Sequence, residues 1–206
     1  MQDATPIADG GALPAGTPPL WPRAIRALHW ITALLLIVGV VAVLLREQVE
    51  SHGLRTQLMG LHRQAGLLIL LLAIVRIGVR LRTDAPRWLQ SAPAKFAALA
   101  THLATYLLML GLPVMGWLLT NAKGKPVSLL GLPLPTLLDR DRDLAESIES
   151  WHALAGWTLL VLVGLHILAA LWHHVFAKDD VLRAMLGRTR PASTPPASSI
   201  PPASSL

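Results

Sequence analysis

The sequence predicts an all-α integral membrane protein: a bundle of four transmembrane helices with both termini in the cytoplasm. Three observations predict it. Of 206 residues, 53% are hydrophobic and only 15% charged, with a mean hydropathy of +0.51, whereas a soluble domain carries nearer a quarter charged residues. The apolar residues gather into four long runs between Pro-rich tails. Basic residues are then distributed unequally between the two ends of those runs.

Residues 1–22 contain Pro6, Pro14, Pro18, Pro19 and Pro22 among small residues and read as a loose tail. No basic segment precedes an early apolar core, so they do not read as a signal peptide. The first apolar run spans about His29 to Leu45, the second His62 to Leu81, the third Phe96 to Thr120 and the fourth His152 to Phe176. At about 1.5 Å per residue each run crosses roughly 30 Å of hydrocarbon, the first two with help from their flanks. Pro113, between Gly111 and Gly116, predicts a kink in the third. Residues 187–206 are a low-complexity Pro/Ser-rich tail, expected to be disordered. The expected organisation is therefore tail 1–22, membrane domain 23–186, tail 187–206.

Charge sets the orientation. The end shared by the tails and the second connection carries 11 basic residues against five acids, and the other end seven against seven. The positive excess places both termini in the cytoplasm. The loops at about 46–61 and 121–151 then face outward, the longer one as a cap. The net charge of +6 is accompanied by one Tyr and two Phe. With the Arg residues at helix ends, it points to an anionic membrane surface and not to nucleic acid. There is no Cys, which excludes disulfides, Cys-ligated iron–sulfur clusters, thiolate-ligated haem and covalent c-type haem.

The candidate chemistry lies in the histidines. His29 opens the first run on the cytoplasmic side, while His62 and His152 open the second and fourth on the outer side. His166 follows His152 by 14 residues, about 21 Å along a helix and within about 40° of whole turns. His152 and His166 thus share one helix face at two depths, with His62 at the outer depth and His29 at the inner. Two facing pairs without Cys or a carboxylate set suit axial ligation of two haems b. The alternative is that each is an interfacial residue beside the belt tryptophans Trp30, Trp151 and Trp172. Zinc asks for three or four close ligands, which pairs about 20 Å apart cannot share.

His102 is either a packing residue or a third imidazole at the inner depth: a substitute ligand, propionate partner or quinone contact. His52 reads as a surface residue, and His173 and His174 as headgroup-level residues. Arg76 either balances an inner haem propionate or snorkels. Two six-coordinate haems make a wire with no open iron position for O₂. No dinucleotide fingerprint, P-loop or HExxH motif accompanies them, so a diffusible donor or partner protein supplies electrons and a lipid-soluble quinone is a plausible acceptor. Neither inverted repeats nor paired broken helices argue for a transporter.

Read in order, RAIRALHW (23–30), LHRQAGLLILLLAIVRIGVRL (61–81), HLATYLLMLGLPVMGWLL (102–119) and SWHALAGWTLLVLVGLHILAALWHHVFAKDDVLRAML (150–186) resemble the bacterial cytochrome b561 family, over about 165 residues. The resemblance implies four helices holding two non-covalent haems b, one on His29 and His166 and the other on His62 and His152. It implies that His102 is not a ligand and that Arg76 accompanies the inner haem. It also implies electron transfer in the bacterial inner membrane. One branch is similar to a superoxide oxidase, an oxidoreductase passing electrons from periplasmic superoxide to ubiquinone. Arg63, Lys123, Lys125, Arg140 and Arg142 are available to steer an anion, diluted by the loop acids. The alternatives are a cytochrome b subunit carrying electrons from a hydrogenase, dehydrogenase or other periplasmic redox partner to quinone, and a haem-free membrane scaffold or sensor.

Overall fold

The computed structural model describes residues 22–82, 92–177 and 181–187. The expectations for the two tails fall, apart from Pro22 and Gly187, outside the described residues. Four long helices dominate: α1 (Arg23–Gln48), α2 (His52–Leu81), α3 (Ala92–Ala122) and α4 (Arg142–Trp172). A π-helical turn, His173–Ala177, follows α4, and a short α5 (Val181–Leu186) comes after it. All four long helices contain a stretch long and apolar enough to cross a membrane. The protein is a multi-pass membrane protein with an α-helical bundle as its body.

The helices exceed their apolar runs because polar turns extend them beyond hydrocarbon. Ser51 accepts a hydrogen bond from the Leu54 N–H, and Asp141 accepts one from Leu144 N–H at 3.0 Å. These caps start α2 and α4 ten residues before His62 and His152. The expected outer loop at 46–61 is therefore mostly helix, with only residues 49–51 joining α1 to α2. His52, expected on that loop, is the first residue of α2. Pro113 lies inside α3, which continues through it. The last turn, His173–Ala177, widens to π geometry.

Packing is sequential: α1 lies on α2, α2 on α3 and α3 on α4, while α1 and α4 do not pack closely along their length. Ile69, Ala73, Met109, Leu112 and Leu159 form a small buried core of α2, α3 and α4. Residues such as Ile37, Ile74 and Val161 face outward, as lipid-facing side chains do. Thr32, Thr105 and Thr120 return their hydroxyls to the carbonyls of Leu28, Thr101 and Gly116. Each polar group is thereby satisfied within its own helix.

The segment between α3 and α4 adds an element absent from the expected all-α class. Two antiparallel strands, β1 (Ser128–Leu129) and β2 (Leu132–Pro133), pair Ser128 with Pro133 and Leu129 with Leu132. The end of the bundle carrying this hairpin and the α1–α2 connection is called the loop end below; the opposite end, with Arg23 and α5, is the terminal end.

Candidate functional site

The helices bring the histidines into two levels. At the loop end the rings of His62 (α2) and His152 (α4) have centroids 6.2 Å apart. At the terminal end His29 (α1) and His166 (α4) are 6.3 Å apart. Both pairs are edge-on and hold nearly the same spacing. A metal bound between two imidazole nitrogens at about 2.0–2.1 Å each separates the ring centroids by about 6.3 Å, given a five-membered ring of radius about 1.1 Å.

The loop-end pair has its outer nitrogens turned toward glycines. His62 Nδ1 lies 2.8 Å from the Gly39 carbonyl oxygen. A carbonyl only accepts, so Nδ1 carries the proton and Nε2 keeps its lone pair for a metal. A Cβ on Gly39 would stand 3.4 Å from Ala65 Cβ and 3.9 Å from His62 Nδ1, ordinary contact distances, so α1 and α2 approach here closely enough to leave room for a small residue and not a large one. Gly116 does the same for α3, since its Cβ would meet His152 Cε1 at 3.4 Å. The Nδ1 of His152 is buried; the Leu112 backbone faces it without reaching hydrogen-bond geometry.

A cavity of about 980 Å³ opens between these rings, lined by Gly39, His62, Arg63, Gly116, Trp117 and His152 among others. Arg55, Arg63 and Lys125 also line it, and none has a carboxylate partner among the described residues. The other basic residues there are engaged: Arg46 pairs with Glu47 at 3.2 Å and Lys123 with Glu149 at 2.8 Å. Arg142 is taken by Glu146 one turn on, and Arg140 packs against Gly124. His52, exposed as expected of a surface residue, stands at the rim of this cavity.

The terminal-end level holds a third imidazole. His102 on α3 is 6.4 Å from His166, so distance alone does not distinguish it from His29 as the partner of His166. Arg76 reaches across to α3, its guanidinium carbon 5.7 Å from the Tyr106 ring centroid, within electrostatic reach of His29 and His166. Among the described residues no cluster of three or more side chains is arranged to hold a metal ion.

A flat, apolar, doubly ligated group suits this frame. Imidazoles stand in pairs at ligand spacing on two levels, α1 and α4 stand apart, and basic side chains free for carboxylates line the cavity.

The model of the family described as "Prokaryotic cytochrome b561" matches residues 20–188. The chain belongs to that family. It is 34% identical over 171 residues to "Cytochrome b561 homolog 2" of Escherichia coli (strain K12), covering 79% of this chain and 89% of that protein. It is 30% identical to "Probable superoxide oxidase CybB" of Yersinia pestis over 165 residues, 79% of this chain and 93% of that one. "Cytochrome b561 homolog 1" of the same E. coli strain is 29% identical over 166 residues. This cytochrome b561-family protein is thus a transmembrane electron carrier of the oxidoreductase type, and the family name implies haem b as its cofactor.

Sequence reasoning missed the histidine-backing glycines. Their signal was present: Gly39 interrupts the run IVGVV and Gly116 precedes Trp117, and glycine within a membrane helix marks close approach of a neighbour.

Proposed function

We propose that the chain carries electrons across the bacterial inner membrane on two haems b, from superoxide at the periplasmic face to ubiquinone. The observation that carries this reading is the pair of imidazole gaps, 6.2 and 6.3 Å, at two depths about 21 Å apart along α4. His62 and His152 hold one haem at the loop end; His29 and His166 hold the other at the terminal end, with Arg76 beside it. Bound there, haem iron would supply one-electron redox chemistry. The cytochrome unit is residues 23–186, with the tails outside it.

The protein's own contribution is placement. Gly39 fixes the His62 tautomer, the apolar helix faces exclude water, and the Arg63 and Lys125 charges favour an anion near the loop end. The positive excess at the terminal end favours the cytoplasm for that end and the periplasm for the loop end. Two superoxide anions each lose one electron to become O₂, and one ubiquinone gains both electrons with two protons to become ubiquinol. The similarity to a relative named as a probable superoxide oxidase favours this donor over a protein partner.

A pyridine haemochrome assay on detergent-purified protein tests the reading. Two protohaems per chain are expected, followed by ubiquinone reduction driven by a superoxide source. Colourless protein despite haem supplied during expression would overturn the haem assignment. Two haems without superoxide-driven turnover would overturn the donor and favour a redox-protein partner.

A further inference from the structure

The hairpin between α3 and α4 sits deeper than a cap needs to. Arg26 and Arg46 bracket the apolar stretch of α1 at 20 residues, about 30 Å, the thickness of the hydrocarbon core. Gly39 lies seven residues below Arg46, about 10 Å inside that boundary. The 2.8 Å contact with Gly39 fixes His62 at the same depth, and Gln64 is two residues further in.

Gln64 is where the hairpin attaches. Its amide nitrogen donates to the Ser128 carbonyl at 2.8 Å, and its amide oxygen accepts from the Leu130 N–H at 2.9 Å. The chain therefore leaves α3 at Ala122, descends to Gln64 and climbs back. On the return Trp117 Nε1 donates to the Pro135 carbonyl, and Asn121 then accepts from the Leu137 N–H. The Asp141 N–H finally reaches the Ala122 carbonyl, back at the end of α3. These contacts trace a dip and not a lid.

At the bottom of the dip stand two bare leucines, Leu130 at 72% and Leu132 at 69% exposure. Leu130 has φ +50, a left-handed conformation that ordinarily goes to glycine or asparagine. With Gly131 at φ +88 it makes the two-residue turn of the hairpin, which takes a positive φ at both positions, and a large apolar side chain is unusual at the first of them. Several backbone groups around the tip have partners. The strands pair with each other, Leu134 N–H donates to Val127, Gln64 takes Ser128 and Leu130, and Pro133 and Pro135 bring no N–H.

We propose that the β1–β2 hairpin is a re-entrant lipid anchor, with Leu130 and Leu132 inserted into the acyl region of the loop-end leaflet beside α2. The tip continues the lipid-facing surface of the helices. Val127 and Lys125, just before it, line the loop-end cavity, so the anchored hairpin also forms part of the wall that separates this cavity from lipid. The inference stands on membrane insertion and hairpin geometry and does not depend on haem or on the donor.

The absence of cysteine makes the test clean. The full chain carrying Leu130→Cys or Leu132→Cys is labelled with a nitroxide and reconstituted into phosphatidylcholine–phosphatidylglycerol vesicles. Power-saturation EPR then compares collision with O₂, which concentrates in lipid, and with a water-soluble nickel chelate. Asp139→Cys in the cap and Ile74→Cys on the lipid face of α2 are the references. Both tip labels are expected to give an O₂-to-nickel ratio several-fold above Asp139→Cys and close to Ile74→Cys. A ratio equal to that of Asp139→Cys would place the tip in water, and shielding from both reagents would place it against protein, such as a second copy. Either result overturns the anchor. Haem content, measured separately on the same samples, reports on the proposed function and not on this inference.

Discussion

His62 Nδ1 lies 2.8 Å from the carbonyl oxygen of Gly39, and the same glycine brings α1 within contact of Ala65 on α2. One residue thus sets both a helix crossing and the protonation of a ring. With a small residue at this crossing, α1 comes close enough for its backbone to act as the orienting acceptor that a ligating histidine commonly has.

That relationship predicts a size-dependent effect at position 39. Gly39→Ala places a Cβ at ordinary contact distance and should retain the loop-end haem. Gly39→Leu should overpack the crossing by about 1–3 kcal/mol and release that haem. Haem stoichiometry after purification separates the two; equal retention in both variants would show that His62 does not depend on this approach.

Single alanine substitutions should divide the haems by level. His62→Ala or His152→Ala is expected to remove the loop-end haem and spare the other; His29→Ala or His166→Ala should do the reverse. Difference spectra and redox titration identify which haem remains. Loss of the opposite haem in any one variant would break the assigned pairing.

His102 sits as close to His166 as His29 does, so the terminal-end pairing needs its own check. With His29 as ligand, His102→Ala keeps two haems per chain. Retention of the terminal-end haem in His29→Ala together with its loss in His102→Ala would transfer the ligand role to His102.

Removing the Arg76 charge should make the terminal-end haem harder to reduce. Arg76→Leu is expected to lower its midpoint potential by tens of millivolts, where about 59 mV corresponds to a tenfold change in a one-electron equilibrium. An unchanged titration would place Arg76 outside the haem's field.

If an anion delivers the electrons, Arg63→Gln and Lys125→Gln should slow superoxide-driven quinone reduction several-fold at low ionic strength. The difference from wild type should shrink near 0.15 M salt, where the Debye length is about 8 Å. Stopped-flow rates across a salt series provide the measurement; a salt-independent deficit would argue against steering.

Much of the architecture was legible because lipid leaves few choices. An apolar run of membrane length must satisfy its own backbone, so the four helices follow from composition alone. The pairing of His152 with His166 on one helix face follows from helical periodicity over 14 residues. Helix ends were less legible: residues 52–61 and 142–151 are largely polar, so the apolar pattern stops at His62 and His152, whereas the helix runs on to its caps at Ser51 and Asp141.

By itself the sequence determined the membrane class, the four spans, the absence of any cysteine chemistry and the two histidine depths, since each depends on local composition or on spacing within one helix. Only the tertiary structure decided which residues meet between helices. That Gly39 backs His62, that Gly116 makes room for His152, that His102 rivals His29, and that Gln64 holds a hairpin 64 and 66 residues away all depend on how neighbouring helices approach and at what height. No periodicity encodes such contacts, because close packing sets them through the shapes of side chains distant in the chain.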